Sequence, residues 1–589
     1  MHNLNVNALT VLDRRYLLKD KEGKVIETPE KMFRRVARNI AKADAKYYSK
    51  KDVKKIEKEF FGIMSNLEFL PNSPTLMNAG TRIGQLSACY VIPVHDSIKD
   101  IFEAVKTMAV VHQSGGGTGF DFSKLRPKGE IVKSTRGVAS GPISFMRVFD
   151  VTTDVIKQGG RRRGANMGIL RVDHPDIMEF IKAKENQKEF TNFNLSVAVT
   201  DKFMKDVVRG KKYPLINPLT KKTEKWLNAR EVFNEIVKAA WKTGDPGLIF
   251  LDEINRKNPL PKLGLIEATN PCGEQPLLPY ESCNLGSINL PMMVDCGKIN
   301  WKKLKRTVRI AVHFLDNVID VNKYPLKKIK VMTQANRKIG LGVMGFAEML
   351  IKLKIPYDSP KAVRLAEKTM RFIQTEAKKA SRQLARKKGA FPNIKKSKLK
   401  GMRNATVTTI APTGSISIIA GTSSGIEPLF AVAFVRNILD GTQMLEVNPL
   451  FIKMAEEKGI LNKKLLIDIA KRGSIQHIKK IPKDMKKIFV TALDIKPEWH
   501  IKMQAAFQKY TDNAVSKTIN FPKTATIKDV KKAYLLAYKM RCKGITIFKY
   551  GSKEEQVLYF GKKIKLKRLR FMGAEPEFSG GCPYPFCPH

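Results

Sequence analysis

Hydrophobic positions recur at helical spacing through the first 85 residues of the chain. Thr28 followed by Pro29 is typical of a helix start, because threonine can cap a helix and proline fits its first turn. Apolar residues then recur on one helical face, at Met32, Phe33, Val36, Ile40 and Ala41. This pattern predicts a small helical domain over residues 1–85.

Between residues 86 and 550, short apolar segments alternate with amphipathic stretches, which is typical of an α/β domain. The clearest predicted helix has Ser359 as its cap, Pro360 in its first turn and Gly389 after its end. Its apolar face comprises Val363, Ala366, Met370, Ile373, Ala377, Ala380 and Leu384. No internal repeat or low-complexity linker divides this span, so we predict one α/β domain over residues 86–550.

The character of the chain changes over residues 551–589. Residues 562–570 are strongly basic, and residues 579–589 are rich in glycine and proline. Such a composition favours turns over packed structure. We therefore predict a flexible C-terminal tail.

Composition is that of an ordinary soluble protein, with 43% hydrophobic and 28% charged residues. No apolar run reaches the roughly 18 residues of a membrane-spanning helix, and the first residues lack the pattern of a signal peptide. Only seven cysteines occur in 589 residues. We expect a cytoplasmic protein with reduced thiols, in which a disulfide would be catalytic rather than structural.

The net charge of +52, from 107 Lys and Arg against 55 Asp and Glu, is unusually high. A field of this sign attracts nucleotides and nucleic acid. The lysines are scattered along the chain, however, and no nucleic-acid-binding module is evident. We expect steering of anionic substrates, and only non-specific contact with nucleic acid.

The most informative motif is the pentapeptide that begins at Asn270 and contains Cys272 and Glu274. A thiol between an amide and a carboxyl has the groups that radical chemistry on a polar substrate needs, since the carboxyl can move a proton and the amide can hold a developing charge. Cys89 and Cys283 could supply two electrons by closing to a disulfide. Taken singly, each cysteine is more often a core residue than a reactive one, and only the joint pattern reverses this interpretation. The spacing of Cys272 and Cys283 does not favour zinc.

This set of residues resembles the catalytic chain of ribonucleotide reductase, in its adenosylcobalamin-dependent class, from about residue 8 to about residue 558. The resemblance implies a ten-stranded α/β barrel of two five-stranded halves, with an inner finger loop and a small N-terminal helical domain. It implies a thiyl radical on Cys272, proton transfer by Glu274, hydrogen bonding by Asn270 and reduction by Cys89 and Cys283. The implied reaction makes 2′-deoxyribonucleotides for DNA synthesis, with diphosphates as the expected substrates.

A phosphate-binding turn is the second motif, because a glycine flanked by hydroxyls follows an apolar run and precedes a helix start. An ordinary strand-to-helix turn is the alternative. The resemblance assigns substrate phosphates to this turn and the rest of the substrate to further residues. The implied substrate-binding set is Ser73, Ala88, Cys89, Gly116, Gly117, Asn270, Pro271, Cys272, Gly273, Glu274, Pro412, Thr413, Gly414, Ser415 and Ile416.

The resemblance also implies an allosteric site for dNTP or ATP effectors, at Asp150, Arg161 and Arg162. Glycines flank the arginines, which could therefore clamp phosphates and still move. A solvated basic turn is the alternative. A homodimer is expected.

Two tail cysteines, Cys582 and Cys587, resemble the family's redox shuttle, which reduces the active-site disulfide by exchange. A thioredoxin- or glutaredoxin-like protein would then reduce the tail. The four-residue spacing is unusual for the family, and a small metal site that includes His589 is an alternative.

Two other functions remain open on the sequence. One is a catalytic subunit that imports its radical from a separate di-metal subunit, but the paired tyrosines of that class are missing around Tyr550. The other is a basic nucleic-acid-binding barrel without catalysis, which the complete set of cysteines, Asn270 and Glu274 argues against.

Overall fold

A computed structural model describes residues 4–131, 136–158, 162–437, 443–552 and 569–573. Its helices are α1 Val6–Arg15, α2 Pro29–Ala41, α3 Lys50–Ser65, α4 Ser73–Asn78, α5 Ile98–Gln113, α6 Gly141–Val155, α7 Ile177–Lys182, α8 Asp201–Arg209, α9 Ala229–Thr243, α10 Leu251–Arg256, α11 Trp301–Val321, α12 Lys327–Asn336, α13 Phe346–Lys352, α14 Pro360–Lys388, α15 Gly414–Ala420, α16 Pro449–Glu457, α17 Lys463–Arg472, α18 Lys483–Ile488, α19 Pro497–Gln508 and α20 Ile527–Lys539.

The strands are β1 Phe69–Pro71, β2 Cys89–Val91, β3 Gly117–Asp121, β4 Lys157–Gln158, β5 Arg162–Arg163, β6 Asn166–Arg171, β7 Phe193–Val199, β8 Lys212–Ile216, β9 Thr223–Asn228, β10 Gly247–Phe250, β11 Ala268–Thr269, β12 Pro276–Leu277, β13 Ser282–Asn289, β14 Val294–Asp295, β15 Lys298–Ile299, β16 Ile339–Met344, β17 Ala433–Asn437, β18 Gln443–Val447, β19 Thr518–Phe521, β20 Gly544–Lys549 and β21 Leu569–Gly573. Within these described residues, no helix is long and apolar enough to cross a membrane.

Helix ends follow the capping residues that the sequence contains. The Thr28 side chain accepts a hydrogen bond from the Lys31 backbone at the start of α2. The Ser359 side chain does the same for Ala362 at the start of α14, and Gly389 ends that helix. Both predicted helices are therefore present, because caps and apolar periodicity are local properties of the sequence.

Five parallel strands form one half of the central sheet, in the order β2, β3, β6, β7 and β10. The other half begins with the parallel pair β13 and β16 and ends with the parallel pair β19 and β20. The two halves meet in antiparallel pairings, β13 with β2 on one side and β10 with β20 on the other. Consecutive parallel strands are joined by helices, as parallel pairing requires.

Two irregular segments complete the second half. Residues 406–411 pair with β16 through the parallel bridge of Leu341 with Thr408. They also pair with residues 513–517 through the parallel bridge of Ile410 with Val515, and those residues continue into β19. The ring of ten strands thereby closes, which confirms the predicted α/β barrel of two five-stranded halves.

The N-terminal helices pack on the outside of this barrel. Phe60 of α3 packs edge-on against Phe314 of α11, with ring centroids 5.1 Å apart. A buried ion pair joins Lys388 Nζ, at the end of α14, to Asp44 Oδ1 at 2.5 Å. The helical segment predicted at the start of the chain is therefore tied to the barrel by apolar and ionic contacts.

A second buried ionic cluster lies at the barrel wall around Asp316 of α11. Arg337 Nε and Arg403 Nε donate to its two carboxylate oxygens at 3.0 and 3.2 Å. Burial raises the pKa of Asp316, but the two arginines outweigh this effect and hold it at about 2. The cluster fastens α11 to the chain segments that enter β16 and residues 406–411.

Candidate active site

The finger loop predicted by the resemblance is the tip of a short hairpin inside the barrel. Strands β11 and β12 are antiparallel, with Thr269 opposite Pro276, and residues 270–275 form the turn between them. Asn270 fixes the turn, because its side-chain Oδ1 accepts from the Gln275 backbone at 2.9 Å and its carbonyl accepts from the Gly273 backbone at 3.0 Å. Gly273 has a φ of +77°, a conformation that glycine adopts without strain.

Strands of both barrel halves hold this loop. Asn194 of β7 donates its Nδ2 to the Pro271 carbonyl at 2.8 Å. From the opposite half, Thr409 Oγ1 and the Ala514 backbone each donate to the Glu274 carbonyl at 2.9 Å. The loop therefore lies between the two halves, within the ring of strands.

Glycines on β3 and directly before it permit close packing. A Cβ at Gly119 would lie 1.7 Å from the Thr269 carbonyl oxygen, and one at Gly117 would lie 2.9 Å from Pro271 Cγ. A Cβ at Gly116 would meet the Tyr90 ring at 2.5 Å. The glycine run thus permits close packing inside the protein, in addition to any contact with a substrate.

Cys89 and Cys283 are direct partners in the antiparallel pairing of β2 with β13. Side chains of directly opposed residues lie on the same face of a sheet, with Cα atoms about 4.5–5.5 Å apart. This spacing falls within the range of about 4.4–6.8 Å that a disulfide requires. Both residues are buried in the structure, as reduced thiols.

Asn270 and Glu274 both approach Cys89. Asn270 Nδ2 donates to Cys89 Sγ at 3.2 Å, and Cys89 Sγ lies 3.9 Å from Glu274 Oε1. Glu274 is only 2% exposed. The amide and carboxyl of the loop therefore face the cysteine pair in the barrel wall, and Cys272 lies between them in the sequence.

The three thiols differ in environment. Cys272 is half-buried, whereas Cys89 is 3% exposed and Cys283 is fully buried. Burial raises the pKa of the Cys283 thiol well above its ordinary value, more than the nearby Lys338 lowers it. Cys283 is therefore a protonated thiol near neutral pH, and Cys272 is the most accessible of the three.

Ser73 begins α4, and its hydroxyl is 2.7 Å from the Tyr16 hydroxyl at the end of α1. Tyr16 is 1% exposed, so this contact reaches from the N-terminal helices to a residue of the implied substrate set. Ala88 is half-buried and directly precedes Cys89. Its backbone donates to the Cys283 carbonyl at 3.1 Å.

The implied phosphate turn follows residues 406–411 directly, so the barrel strand that contacts the loop also leads into the turn. Thr413 has a φ of +55°, and its hydroxyl accepts from the Gly425 backbone at 2.7 Å. Gly414 has open space where a Cβ would stand. Pro412, Gly414 and Ser415 are half-buried, and Thr413 and Ile416 are buried.

The implied allosteric residues are described only in part. Asp150 of α6 accepts from the Asn192 backbone and side chain, at 3.0 and 3.1 Å. Burial raises its pKa. The backbone of Arg162 belongs to the hairpin of β4 and β5, while Arg161 lies outside the described residues.

Cys582, Cys587 and His589 also lie outside the described residues. The shuttle and the metal alternative for these residues therefore stay predictions.

Sequence reasoning missed two residues that position the loop, Asn194 and Thr409. The signal for Asn194 was present, because it is a polar residue within the apolar run of β7. Thr409 lies in a segment that the sequence marks only as apolar, and its contact with the loop depends on the closure of the barrel.

A ten-stranded barrel that holds a thiol-bearing hairpin opposite a cysteine pair defines the architecture of ribonucleotide reductases, and the comparisons agree. The profile of the ribonucleotide reductase barrel domain matches residues 87–400 and 394–548, and that of the ribonucleotide reductase all-alpha domain matches residues 2–84. The chain belongs to the ribonucleotide reductase family.

Two named relatives are about half identical to this chain over nearly its whole length. The vitamin B12-dependent ribonucleoside-diphosphate reductase of Thermoplasma acidophilum is 51% identical, over 99% of this chain and 85% of its own. The protein of the same name from Mycobacterium tuberculosis is 50% identical, over 98% and 82%. Among solved structures, the class Id ribonucleotide reductase alpha subunit of Actinobacillus ureae superposes with a TM-score of 0.77 at 26% identity, over 93% of this chain and 97% of its own.

Proposed function

We propose that this chain reduces ribonucleoside diphosphates to 2′-deoxyribonucleoside diphosphates, with adenosylcobalamin as the source of the radical. The observation that carries the proposal is the placement of Asn270 and Glu274 against Cys89, which is itself the strand partner of Cys283. One site thus combines a thiol on a hairpin, a carboxyl, an amide and a two-electron donor. The name of the relatives that are about half identical supports the diphosphate substrate and the cofactor.

Three residues of the loop have separate roles in the first step of the reaction. Cys272, as a thiyl radical, takes the hydrogen atom from C3′ of the ribose. Glu274 accepts the proton of the 3′-hydroxyl, and the Asn270 amide donates to the oxygen on which charge develops. The half-buried Cys272 fits its role, since the radical source must reach the thiol. The nearly fully buried Glu274 fits as well, since its site must be shielded from water.

The cysteine pair completes the reaction. The 2′-hydroxyl leaves as water, and the two electrons and two protons that this requires come from Cys89 and Cys283, which close to a disulfide. Cys272 returns its hydrogen atom to C3′ and Glu274 returns its proton to the 3′ oxygen, so that the loop ends as it began. Direct strand pairing allows the S–S bond to form without rearrangement of the sheet.

The residues around Cys272 fit an external radical source. Asn194 Oδ1 is buried and, within the described part of the chain, accepts no hydrogen bond, although Asn194 Nδ2 holds the loop. Cys272 and Asn194 would face adenosylcobalamin. When bound, this cofactor supplies a carbon-centred radical that can take a hydrogen atom from a thiol.

Further parts of the proposal concern ligands and partners. We assign the substrate phosphates to residues 412–416, because the hydroxyl-bearing residues Thr413 and Ser415 lie at the start of α15, directly after a barrel strand. Ser73 and Ala88 would line the substrate. Effectors would bind near Asp150, in a homodimer, and a cytoplasmic thioredoxin- or glutaredoxin-like protein would reduce the tail.

One observation favours the alternative of a separate radical-generating subunit. The superposable structure is a class Id alpha subunit. Its identity to this chain is about half that of the vitamin B12-dependent relatives, so we retain adenosylcobalamin as the proposal.

Turnover by the purified chain tests the proposal. Reduction of a ribonucleoside diphosphate is measured with a small dithiol, in the presence and absence of adenosylcobalamin. Product that forms only with the cofactor, is lost in Cys272→Ser and is retained in Cys296→Ser, at an exposed cysteine, would support it. Turnover with a di-metal subunit and without cobalamin would refute it.

A further inference from the structure

Cys283 has a second strand neighbour besides Cys89. The parallel register of β13 with β16 begins with Asn284 opposite Ile339, so Cys283 and Lys338 are neighbours one residue earlier. Cys283 Sγ lies 3.6 Å from the Lys338 carbonyl oxygen. Cys89, Cys283 and Lys338 are therefore neighbours across β2, β13 and the residue that leads into β16.

Lys338 is fixed by a buried carboxylate. Its Nζ donates to Glu281 Oε2 at 2.6 Å, and the two side chains are 2% and 1% exposed. Glu281 also accepts from the Leu278 backbone and from Asn336 Nδ2, each at 2.6 Å. Glu281 precedes Cys283 by two residues, immediately before β13, and both members of the ion pair act electrostatically on the Cys283 thiol.

The charged groups around Cys283 act in opposite directions. Burial raises its pKa most, Lys338 lowers it, and Glu281 and Glu274 raise it. The Tyr324 hydroxyl also interacts with this thiol. Lys338 is thus the one cation among these described neighbours that favours negative charge on Cys283.

Stability gives little reason for an ion pair at this place. A buried pair is worth about as much as apolar residues of the same size, because the loss of hydration offsets the attraction between the charges. A negative charge that appears on Cys283 during the reaction would explain the presence of the pair, since a fixed cation in a dry site strongly stabilises such a charge.

We propose that Lys338, held by Glu281, stabilises the Cys283 sulfur as leaving group each time the Cys89–Cys283 disulfide is reduced. The inference rests on the proposed function, which makes this disulfide. Cys89 is the less buried of the two residues, 3% exposed against 0% for Cys283, so an incoming thiolate bonds to Cys89 and the S–S bond to Cys283 breaks. Cys283 leaves as a thiolate beside the Lys338 ammonium and then takes a proton.

The second thiol of the incoming dithiol completes the exchange. It attacks the mixed disulfide on Cys89, and the dithiol leaves as its own disulfide. Two electrons thus pass from the dithiol to the couple, and one proton ends on each cysteine. Glu281 acts only through Lys338 and is a positioning residue.

The test is the rate at which dithiothreitol opens the disulfide in the full-length protein, after oxidation with diamide. Alkylation and peptide mass analysis follow Cys89 and Cys283 directly, without nucleotide or cobalamin. An opposite charge nearby shifts a pKa by about two units. A thiol of lower pKa leaves faster, and we take for it the slope of about 0.5 that attacking thiols show. Lys338→Met should therefore open about tenfold more slowly.

A matched control is Lys184→Met, since Lys184 forms another buried pair, with Asp245 at 3.3 Å, at a different part of the barrel. It should open at the wild-type rate. Lys338→Arg should retain most of the rate, because the charge stays. Glu281→Gln should open at least as fast as the wild type, because the amide oxygen of the isosteric glutamine can still accept from Lys338 while the ammonium loses its counter-charge.

The measured opening rates distinguish a failure of this inference from a failure of the proposed function. If Lys338→Met opens at the wild-type rate, or if Glu281→Gln is as slow as Lys338→Met, the ammonium does not act on the sulfur and the inference is wrong. If Lys338→Met does not fold, the opening rates of Lys338→Arg and Glu281→Gln test the inference instead. A rate in either variant about tenfold below that of the wild type would then show that the inference is wrong. If diamide forms no Cys89–Cys283 disulfide in the wild type, the proposed function fails first, and the inference with it.

Discussion

Replacement of Gly119 by alanine should displace the loop that carries Cys272. The added Cβ would lie 1.7 Å from the Thr269 carbonyl oxygen, and Cβ atoms essentially never approach within 3.0 Å of another atom. The difference between these distances requires a shift of about 1.3 Å. The Cβ position is fixed by the backbone of β3, and the carbonyl oxygen belongs to the backbone of β11. No side-chain rotation can therefore relieve the contact.

Thr269 directly precedes Asn270, so the shift enters the active loop. A misplacement of about 1 Å in reacting groups costs about 100-fold in rate, and a forced methyl in a packed interior costs about 1–3 kcal/mol of stability. Gly119→Ala should therefore remain folded and lose about 100-fold in turnover. Deoxyribonucleotide formation measures the first effect, and thermal unfolding measures the second.

Gly62→Ala is the matched control, because Gly62 lies within α3 and nothing stands within 4 Å of its added Cβ. That variant should keep full activity and gain about 0.5–1 kcal/mol, since alanine favours a helix over glycine. If Gly119→Ala turns over within threefold of the wild type, the loop does not depend on this contact and the reasoning fails.

Three further predictions concern the thiols, the ionic cluster and the N-terminal helices. Cys272→Ser should abolish even a single turnover. The double variant Cys582→Ser with Cys587→Ser should lose only multiple turnover with thioredoxin, which a small dithiol should partly restore. A double variant that cycles normally with thioredoxin would exclude the shuttle. Asp316 has a folded pKa of about 2, below its unfolded value near 3.9. The stability that this difference contributes, about 2–3 kcal/mol, is present above pH 4 and is lost as the pH falls towards 2. Asp316→Asn should flatten the dependence of the free energy of unfolding on pH in this window, and an unchanged dependence would contradict the assignment. Tyr16→Phe should raise KM several-fold with little change in kcat or melting temperature, because it removes only the hydroxyl that contacts Ser73; an unchanged KM would show that Ser73 needs no such support.

The limits of several elements and the identity of the reactive groups follow from the sequence. Ser359, Pro360 and Gly389 mark the ends of α14, because capping depends on residues that are neighbours in the chain. The pentapeptide with Cys272 contains the groups for radical chemistry in one short segment, so it is legible without a structure.

Tertiary structure decides the relations between distant segments. The pairing of Cys89 with Cys283 depends on the antiparallel seam between the two barrel halves, and nothing near either cysteine specifies that register. Residues 406–411 read only as an apolar run, yet they close the barrel and bring Thr409 to the loop. The need for glycine at position 119 likewise appears only when β11 crosses β3.

The sequence by itself therefore determined which side chains are available and where many helices begin and end. The structure decided which thiols face each other, which cation lies beside Cys283 and which strands hold the loop. The physical reason is that caps and periodicity act within one or two turns of the chain. Strand register and close backbone contacts, by contrast, are set by the packing of the whole barrel.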